Sequence, residues 1–516
     1  MTISSNDSPP LDVVANDSSE RPLTDEQTLA AGTRSTRVVI EAAPGSGKTT
    51  VAAQRFGCLR YRVQVTHDDL RDHRAVVAVS FTKSATRELR ARTESTWGPS
   101  ALRWPHRITT IDTLVHEIVS DLLSGAWITW PGGHVALTVH DSWKGRLPHT
   151  YGYKTWVATY VNGGIELARR ATARQLVPSG TDVDAELEAG HCTHDDLRSV
   201  LDAALKEPDI CSRVRRWLGA TIRCLIVDEV YDANELDLRL VEIAAESGCE
   251  ITLIGDPWQA LYGFRGASPD EVPQLCKKLS METLYLSKSF RFRSNEQKEL
   301  AQKLRSGAEV ELPPGRPGTD CEIVIARMWS RLWDTGYTEI IPLAWGAARD
   351  DKFDGLATIL LDIAARQLTG KGAVFKSEAL QALGITEVDA ETMRLCLTEA
   401  LQGLAGASDA GDLAEVYCFL DQQFRRYNSG RGLPPEPDTE LLQRMWALGR
   451  RLRAGATCVP GITAHQAKGQ EWHRVGVRLD ENERYSLKRG LRSNNESHRI
   501  LYVACTRARW KTVQIA

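Results

Sequence analysis

Two glycines followed by a lysine and two threonines, in Ala42-Ala43-Pro44-Gly45-Ser46-Gly47-Lys48-Thr49-Thr50, are residues of the right type and spacing to hold a polyphosphate. Gly45 and Gly47 let backbone N–H groups close around phosphate oxygens, and a helix starting here adds the positive end of its dipole. Lys48 supplies a point charge and the Thr49 hydroxyl a ligand for Mg²⁺. Ala43, Pro44, Ser46 and Thr50 complete the cradle. Ala42 stands where the general pattern has glycine, so the match rests on the residues that follow it.

A second constellation is Cys224-Leu225-Ile226-Val227-Asp228-Glu229, an apolar strand ending in two carboxylates; Ile251 to Asp256 ends similarly in Gly-Asp. The carboxyl ends of parallel strands are where such sheets bind ligands. Asp228 is thereby placed to hold Mg²⁺, and Glu229 to orient and deprotonate a water attacking a terminal phosphate. Upstream, Thr24 or Asp25 caps a short helix carrying Gln27, whose amide offers the donor and acceptor that suit an adenine edge. The loop Pro257 to Ala267 holds Trp258, Tyr262, Phe264 and Arg265 among glycines. Such residues hold single-stranded bases and equally plug cores, and both readings stay open at this point.

The elements needed to position these residues are legible as alternating strands and helices. Val38-Val39-Ile40 enters the phosphate loop, a helix leaves it, and Ala75–Phe81 reads as a buried strand before a basic helix from Ser84 to Trp97. Ile108–Ile111 precedes a helix over 112–123. This alternation predicts a parallel α/β sheet. Residues 1–22, rich in Ser, Asp, Asn and Pro, predict a disordered tail. Residues 124–220 break the rhythm as an insertion. A second sheet is expected to begin near Thr283–Leu286, with strands at 322–327, 338–343, 461–463, 473–477 and 512–515 and a helix over 496–508. Between its parts, 350–455 has Leu and Ala at helical spacing. The expected organisation is a first lobe from 23–123 and 221–280, a second from 281–349 and 456–516, and a mainly helical insertion in each.

At 516 residues the chain exceeds what one core supports. Composition is that of a globular protein, and no apolar run approaches the roughly 20 residues of a membrane span. The first residues lack the basic and apolar regions of a signal peptide, which leads to an expectation of a cytoplasmic protein. The eleven cysteines form no C-x-x-C pair and read as reduced. His191-Cys192-Thr193-His194 lacks a second ligand pair at zinc spacing. Net charge is −3. Local basic stretches at 83–107 and 288–305 read either as solvated helix faces or as nucleic-acid contacts.

Taken in order from Gln27 to Arg509, these segments resemble the motifs of superfamily 1 DNA helicases of the UvrD, PcrA and Rep type. The resemblance implies two RecA-like P-loop NTPase lobes, ATP and Mg²⁺ in the cleft between them, and single-stranded or partly duplex DNA across both. It implies Gln27 as the adenine reader, Lys48 and Thr49 as phosphate and metal ligands, and Asp228 with Glu229 as the metal and water residues. Asp256–Ala267 is similar to the third motif, so Gln259 senses the γ-phosphate, Phe264 stacks on a base, and Phe81, Thr110, Tyr262 and Arg265 lie along the DNA. Leu286–Arg291 is similar to the fourth, with Phe290 against adenine and Arg291 on the γ-phosphate. Thr463–Trp472 resembles the fifth, giving His465 and Lys468 to DNA and Glu471 to the ribose or its hydrogen-bond network. Leu501–Arg509 resembles the sixth, with Arg507 as arginine finger.

Three departures stand out. Tyr231 replaces a glutamine that links nucleotide to DNA in the family, Phe81-Thr82-Lys83 shifts a basic DNA contact to Lys83, and the segment between the fourth and fifth motifs is short. With the chain ending seven residues past Arg509, no nuclease domain is expected to follow. The resemblance leads to an ATP-dependent helicase or translocase moving 3′ to 5′ in repair or anti-phage defence. The alternative is a nucleotide-dependent, DNA-sensing switch that regulates a partner nuclease, because compact helicases resembling this chain occur in anti-phage systems such as Gabija. The absence of an Asn-Lys-x-Asp specificity motif argues against a GTPase.

Overall fold

The computed structural model describes residues 22–66, 73–144, 146–263, 266–334, 336–347, 349, 351–427, 432–455 and 458–516. The expected tail over residues 1–22 lies outside the described residues except for Pro22, as do the two site residues Phe264 and Arg265.

Short β-branched and apolar runs form a six-stranded parallel sheet in the order Glu282–Leu286, Arg37–Ala42, Glu250–Gly255, Ile222–Asp228, Ala75–Ser80, Arg107–Thr110. Strands buried on both faces need apolar side chains pointing both ways, and they have them. Val38, Ile40, Val76, Ala78 and Ile226 pack with Phe56 and Leu59 of the helix Lys48–Thr66. Val39, Val77, Val79, Leu225 and Val227 face the opposite layer, which includes Leu114 and Ile118 of the helix Ile111–Ser124. The result is a helix/sheet/helix sandwich whose carboxyl edge carries the phosphate loop, Asp228 and Asp256.

A second parallel sheet runs Ile340–Pro342, Val459–Thr463, Ile323–Ala326, Trp472–Arg478, Ala508–Ile515. Between Pro342 and Val459 the described chain is helical, and its helices Lys352–Thr369, Arg394–Gly406, Ala410–Tyr427 and Thr439–Ala454 share one core with this sheet. The chain is therefore a mixed α/β protein with two parallel sheets.

Two expectations need correction. Glu282–Leu286, expected to open the second sheet, pairs in parallel with Arg37–Ala42 and closes the edge of the first. Its pattern was that of a strand, but which sheet a strand joins depends on the edge left available, which no local pattern encodes. The first insertion, expected to be mainly helical, carries beside its helices Gly180–Glu188, His194–Ala204 and Pro208–Thr221 a long antiparallel ribbon of His149–Val161 and Gly164–Pro178. Its turn, Asn162-Gly163, has both residues at positive φ, as tight hairpins require.

Candidate functional site

The phosphate loop is shaped by its glycines: Gly45 has φ +69° and Gly47 φ +87°, values that residues with a Cβ rarely adopt. A Cβ on Gly45 would stand 2.5 Å from the Cβ of Arg291, and one on Gly47 would stand 2.7 Å from Nε2 of Gln27. Both glycines therefore also serve close approach of other segments. The Phe290 backbone N–H donates to the Gly45 carbonyl at 2.8 Å, and the Ser289 hydroxyl donates to the Pro44 carbonyl at 2.6 Å. Gln27 donates through Nε2 to the Ser46 carbonyl at 2.8 Å, while its Oε1 accepts from the Thr24 N–H and closes a capping box on the helix Asp25–Gly32. Ala43 donates its N–H to the Leu286 carbonyl at 2.9 Å, and the Thr50 hydroxyl accepts from Arg92 at 2.6 Å. Lys48 and Thr49 open the helix behind the loop.

Facing Lys48 are the two carboxylates at the end of Ile222–Asp228. The Lys48 Nζ lies 3.5 Å from Glu229 Oε1. Glu229 sits in the left-handed region at φ +58°, a strained conformation for a residue with a side chain, of the kind stored at functional sites. Asp228 accepts the Glu229 N–H at 3.0 Å. The two acids titrate oppositely. Burial, with Glu229 adding to it, pushes Asp228 up to about 7 despite Lys48. Burial also works to raise Glu229, but Lys48, Lys468 and Arg507 outweigh it and hold that acid ionised. Asp228 and the Thr49 hydroxyl are hard oxygen donors, and a desolvated carboxylate beside a second carboxylate is an environment that a dication would stabilise, so these residues fit Mg²⁺.

The second sheet's motifs complete the cleft. Lys468, whose side chain is only 11% exposed, forms an ion pair with Asp232 and stands 3.8 Å from Glu229. Burial lowers its pKa, but Asp232 and Glu229 outweigh burial and raise it, so the lysine is a fixed cation. Expected against DNA, Lys468 instead lies among the acids of the first lobe, with Nζ 4.9 Å from the centre of the Tyr262 ring. His465 donates from Nε2 to the Leu261 carbonyl at 3.1 Å, and its ring lies 6.4 Å from that of Tyr262. Arg291 donates to Glu471 at 3.0 Å and to the Thr506 carbonyl at 3.1 Å; Arg509 donates to the other oxygen of Glu471 at 3.2 Å. Glu471, expected at the ribose or in its hydrogen-bond network, bridges two arginines; burial works to raise its pKa, but their charge outweighs it and keeps it below the usual carboxylate range.

Arg507 is fully buried, with Nη2 3.5 Å from Oε1 of Gln259 and Nη1 without a partner. Burial, with Arg291 adding to it, lowers its pKa strongly. Such a cation lacks a counter-charge that a γ-phosphate would supply. Gln259 donates to Asp256 at 2.7 Å, and Asp256 also accepts from Arg305 at 3.1 Å. Phe81 is half-buried against the first lobe's core, Lys83 pairs with Asp141 at 3.0 Å, and Thr110 caps the helix Ile111–Ser124.

Sequence reasoning missed Asp232 and Arg499, and it met Arg305 only as part of the basic stretch 288–305. Asp232 follows Tyr231 and could have been flagged as a third acid beside Asp228 and Glu229. Arg499, which reaches the Ala260 carbonyl at 2.7 Å, lies in an ordinary amphipathic helix and carries no local signal. The open question about the aromatic loop resolves for Trp258. It is buried in the second lobe's core, 4.8 Å from the Tyr502 ring.

The two parallel sheets and the glycine loop at the carboxyl edge of the first are those of a P-loop NTPase fold. A family model described as an AAA domain matches residues 25–265. Similar proteins include the ATP-dependent DNA helicase srs2 of Schizosaccharomyces pombe, 22% identical over 318 residues, which cover 52% of this chain and 33% of that protein. The ATP-dependent DNA helicase Rep of Salmonella typhimurium is 25% identical over 276 residues, covering 49% of this chain and 39% of Rep. The RecBCD enzyme subunit RecB of Mycolicibacterium smegmatis is 39% identical over 93 residues, covering 16% of this chain and 8% of RecB. The chain is thus similar to ATP-dependent DNA helicases over about half of its own length, and it spans less than half the length of each of these proteins. No helix among the described residues is long and apolar enough to cross a membrane.

Proposed function

We propose that the protein is a DNA-stimulated ATPase that translocates 3′ to 5′ on single-stranded DNA and separates strands, acting in the cytoplasm. The observation that carries this reading is the inter-lobe chain Lys48–Glu229–Lys468–Asp232, with Gln259–Arg507 beside it. Residues suited to phosphate and water lie in one network with residues of the motif expected to meet DNA.

In this reading Gln27 and Phe290 bind the base, the loop Ala43–Thr50 holds the phosphates, and Lys48 stays on the terminal phosphate as charge develops. Asp228 and Thr49 would hold Mg²⁺, which would supply further charge neutralisation. Glu229, kept ionised by its lysines, orients a water and accepts its proton. Arg291, Arg507 and Gln259 leave their present partners for the γ-phosphate. Arg507 then contributes only when the lobes close, which couples hydrolysis to movement. Phe81, Lys83, Thr110, Tyr262, Phe264, Arg265, His465 and Lys468 form the DNA track. Lys468 reaches it by exchanging Asp232 for a DNA phosphate. In this reading the first lobe comprises 23–123 and 221–286 and the second 287–349 and 456–516, because Glu282–Leu286 pairs with Arg37–Ala42.

ATP hydrolysis measured with and without oligonucleotide, and a strand-separation assay, test this. The expectation is DNA-stimulated turnover that the Lys48→Ala variant loses by at least about a hundredfold, since the phosphate cation is gone. An unstimulated or absent wild-type activity rejects it. A second reading, a nucleotide-dependent switch that senses DNA and regulates a partner nuclease, is favoured by Tyr231. This residue is buried and donates to Glu41 at 3.3 Å, so the position offers no amide to the cleft. Slow turnover without unwinding, with DNA affinity set by the bound nucleotide, distinguishes it.

A further inference from the structure

The antiparallel ribbon of the first insertion is basic and aromatic, and the site described above makes no use of it. Residues 149–178 contain Lys154, Arg169, Arg170 and Arg174 against Glu166 alone, in a chain whose net charge is −3. The ribbon is anchored at both ends. At its turn, the Gly163 carbonyl accepts the Thr129 N–H at 2.9 Å, and Ala158 donates its N–H to the buried Asp196 at 2.8 Å. At its open end Val177 and Pro178 are buried. The span between the anchors is exposed, and it displays Tyr151 and Tyr153 at 60% and 66% exposure, unusual values for large aromatic rings.

The cations flank these rings. Lys154 follows Tyr153 and is exposed; Arg170, opposite Thr155 in the ladder, is half exposed and 3.8 Å from Asp195. Arg169 lies 4.6 Å over the Trp156 ring, which stiffens the ribbon across its width. One ribbon cation, Arg170, lines a cavity of about 500 Å³ together with Asp195, Arg198 and Gly266.

We propose that this ribbon is an additional single-stranded DNA contact, in which Tyr151 and Tyr153 stack on bases and Lys154 and Arg170 neutralise phosphates. Charge selects a polyanion, and Tyr151 and Tyr153, two residues apart on one strand beside the register shift at Gly152/Lys154, offer two exposed rings to bases. Rigid anchoring means that little order has to be created on binding. The proposal rests on the DNA-motor reading.

The test is fluorescence anisotropy of a labelled oligothymidine with the full chain across a salt series, with binding of a fluorescent ATP analogue as control. The variant Tyr151→Ser/Tyr153→Ser is expected to lose at least about fivefold in DNA affinity, with an unchanged salt slope and unchanged ATP-analogue binding. Tyr151→Phe/Tyr153→Phe keeps its rings and is expected to bind as wild type. Lys154→Gln/Arg170→Gln is expected to flatten the log–log salt slope by about 1.4, two single-strand phosphate contacts. If wild type binds DNA and the serine variant binds equally well, the ribbon proposal is overturned and a protein-facing role takes its place. If wild type itself binds no DNA, the motor reading fails first.

Discussion

Asp228 and Glu229 are neighbours in the chain with opposite protonation tendencies, and the difference comes from what faces them. Two lysines and an arginine pull on Glu229, whereas Asp228 is buried beside a like charge. In the nucleotide-free protein the folded-state pKa of Asp228 lies above its unfolded value. Its contribution to stability is then present while it is protonated and is lost as pH rises from about 4 to about 7. Asp228→Asn removes that loss. Thermal unfolding without nucleotide is expected to show the variant more stable than wild type at pH 8, by up to roughly 4 kcal/mol, with the gap closing near pH 4. The same variant is expected to lose the stabilisation that Mg²⁺–nucleotide gives wild type. A wild-type stability that rises between pH 5 and 7 relative to the variant contradicts the assignment.

At the scale of elements, the phosphate loop and the segment Ser289-Phe290-Arg291 are fitted to each other at Gly45. Gly45→Ala adds a methyl in a disfavoured conformation and in collision with Arg291. The expected cost is about 1–3 kcal/mol in stability, together with weakened nucleotide binding, measured by denaturant unfolding and by titration with a fluorescent ATP analogue. The loop Asp256–Gly263 is the other joint between lobes, because Trp258 leaves the first sheet's edge and is buried in the second lobe's core. Trp258→Ala is expected to cost about 3–5 kcal/mol and to uncouple the unfolding of the lobes, visible as a second transition in calorimetry.

Over the whole molecule, the two lobes are tied by buried charge as well as by the apolar anchors Trp258 and Leu261. Lys468 of the second lobe answers Asp232 and Glu229 of the first, and breaking such a buried pair leaves uncompensated charge. Lys468→Met is expected to destabilise by about 3–5 kcal/mol, and Asp232→Asn to restore part of that in the double variant. Lys468→Met also removes a cation that lowers the Glu229 pKa, so the acid limb of the ATPase pH profile is expected to move to higher pH. An unmoved limb separates Lys468 from Glu229 in function.

What the sequence determined by itself was local. Runs such as Ala75–Ser80 and Ile222–Asp228 are β-branched and apolar on both faces, so they form buried strands wherever the chain places them. Gly45 and Gly47 impose their turn through backbone freedom, and carboxylates at a strand's end are presented at the sheet's edge. The partners were not legible. Lys468 meets Asp232 across 236 residues once the two sheets are closed against each other, and Arg291 meets Glu471 across 180 once the second lobe has folded. The same holds for the strand Glu282–Leu286, whose sheet was chosen by a free edge, and for the ribbon, whose alternating residues pair only if the turn at Asn162-Gly163 aligns them. Side-chain chemistry and periodicity are properties of a few adjacent residues, whereas burial, counter-charge and protonation state are set by whatever the folded chain brings alongside.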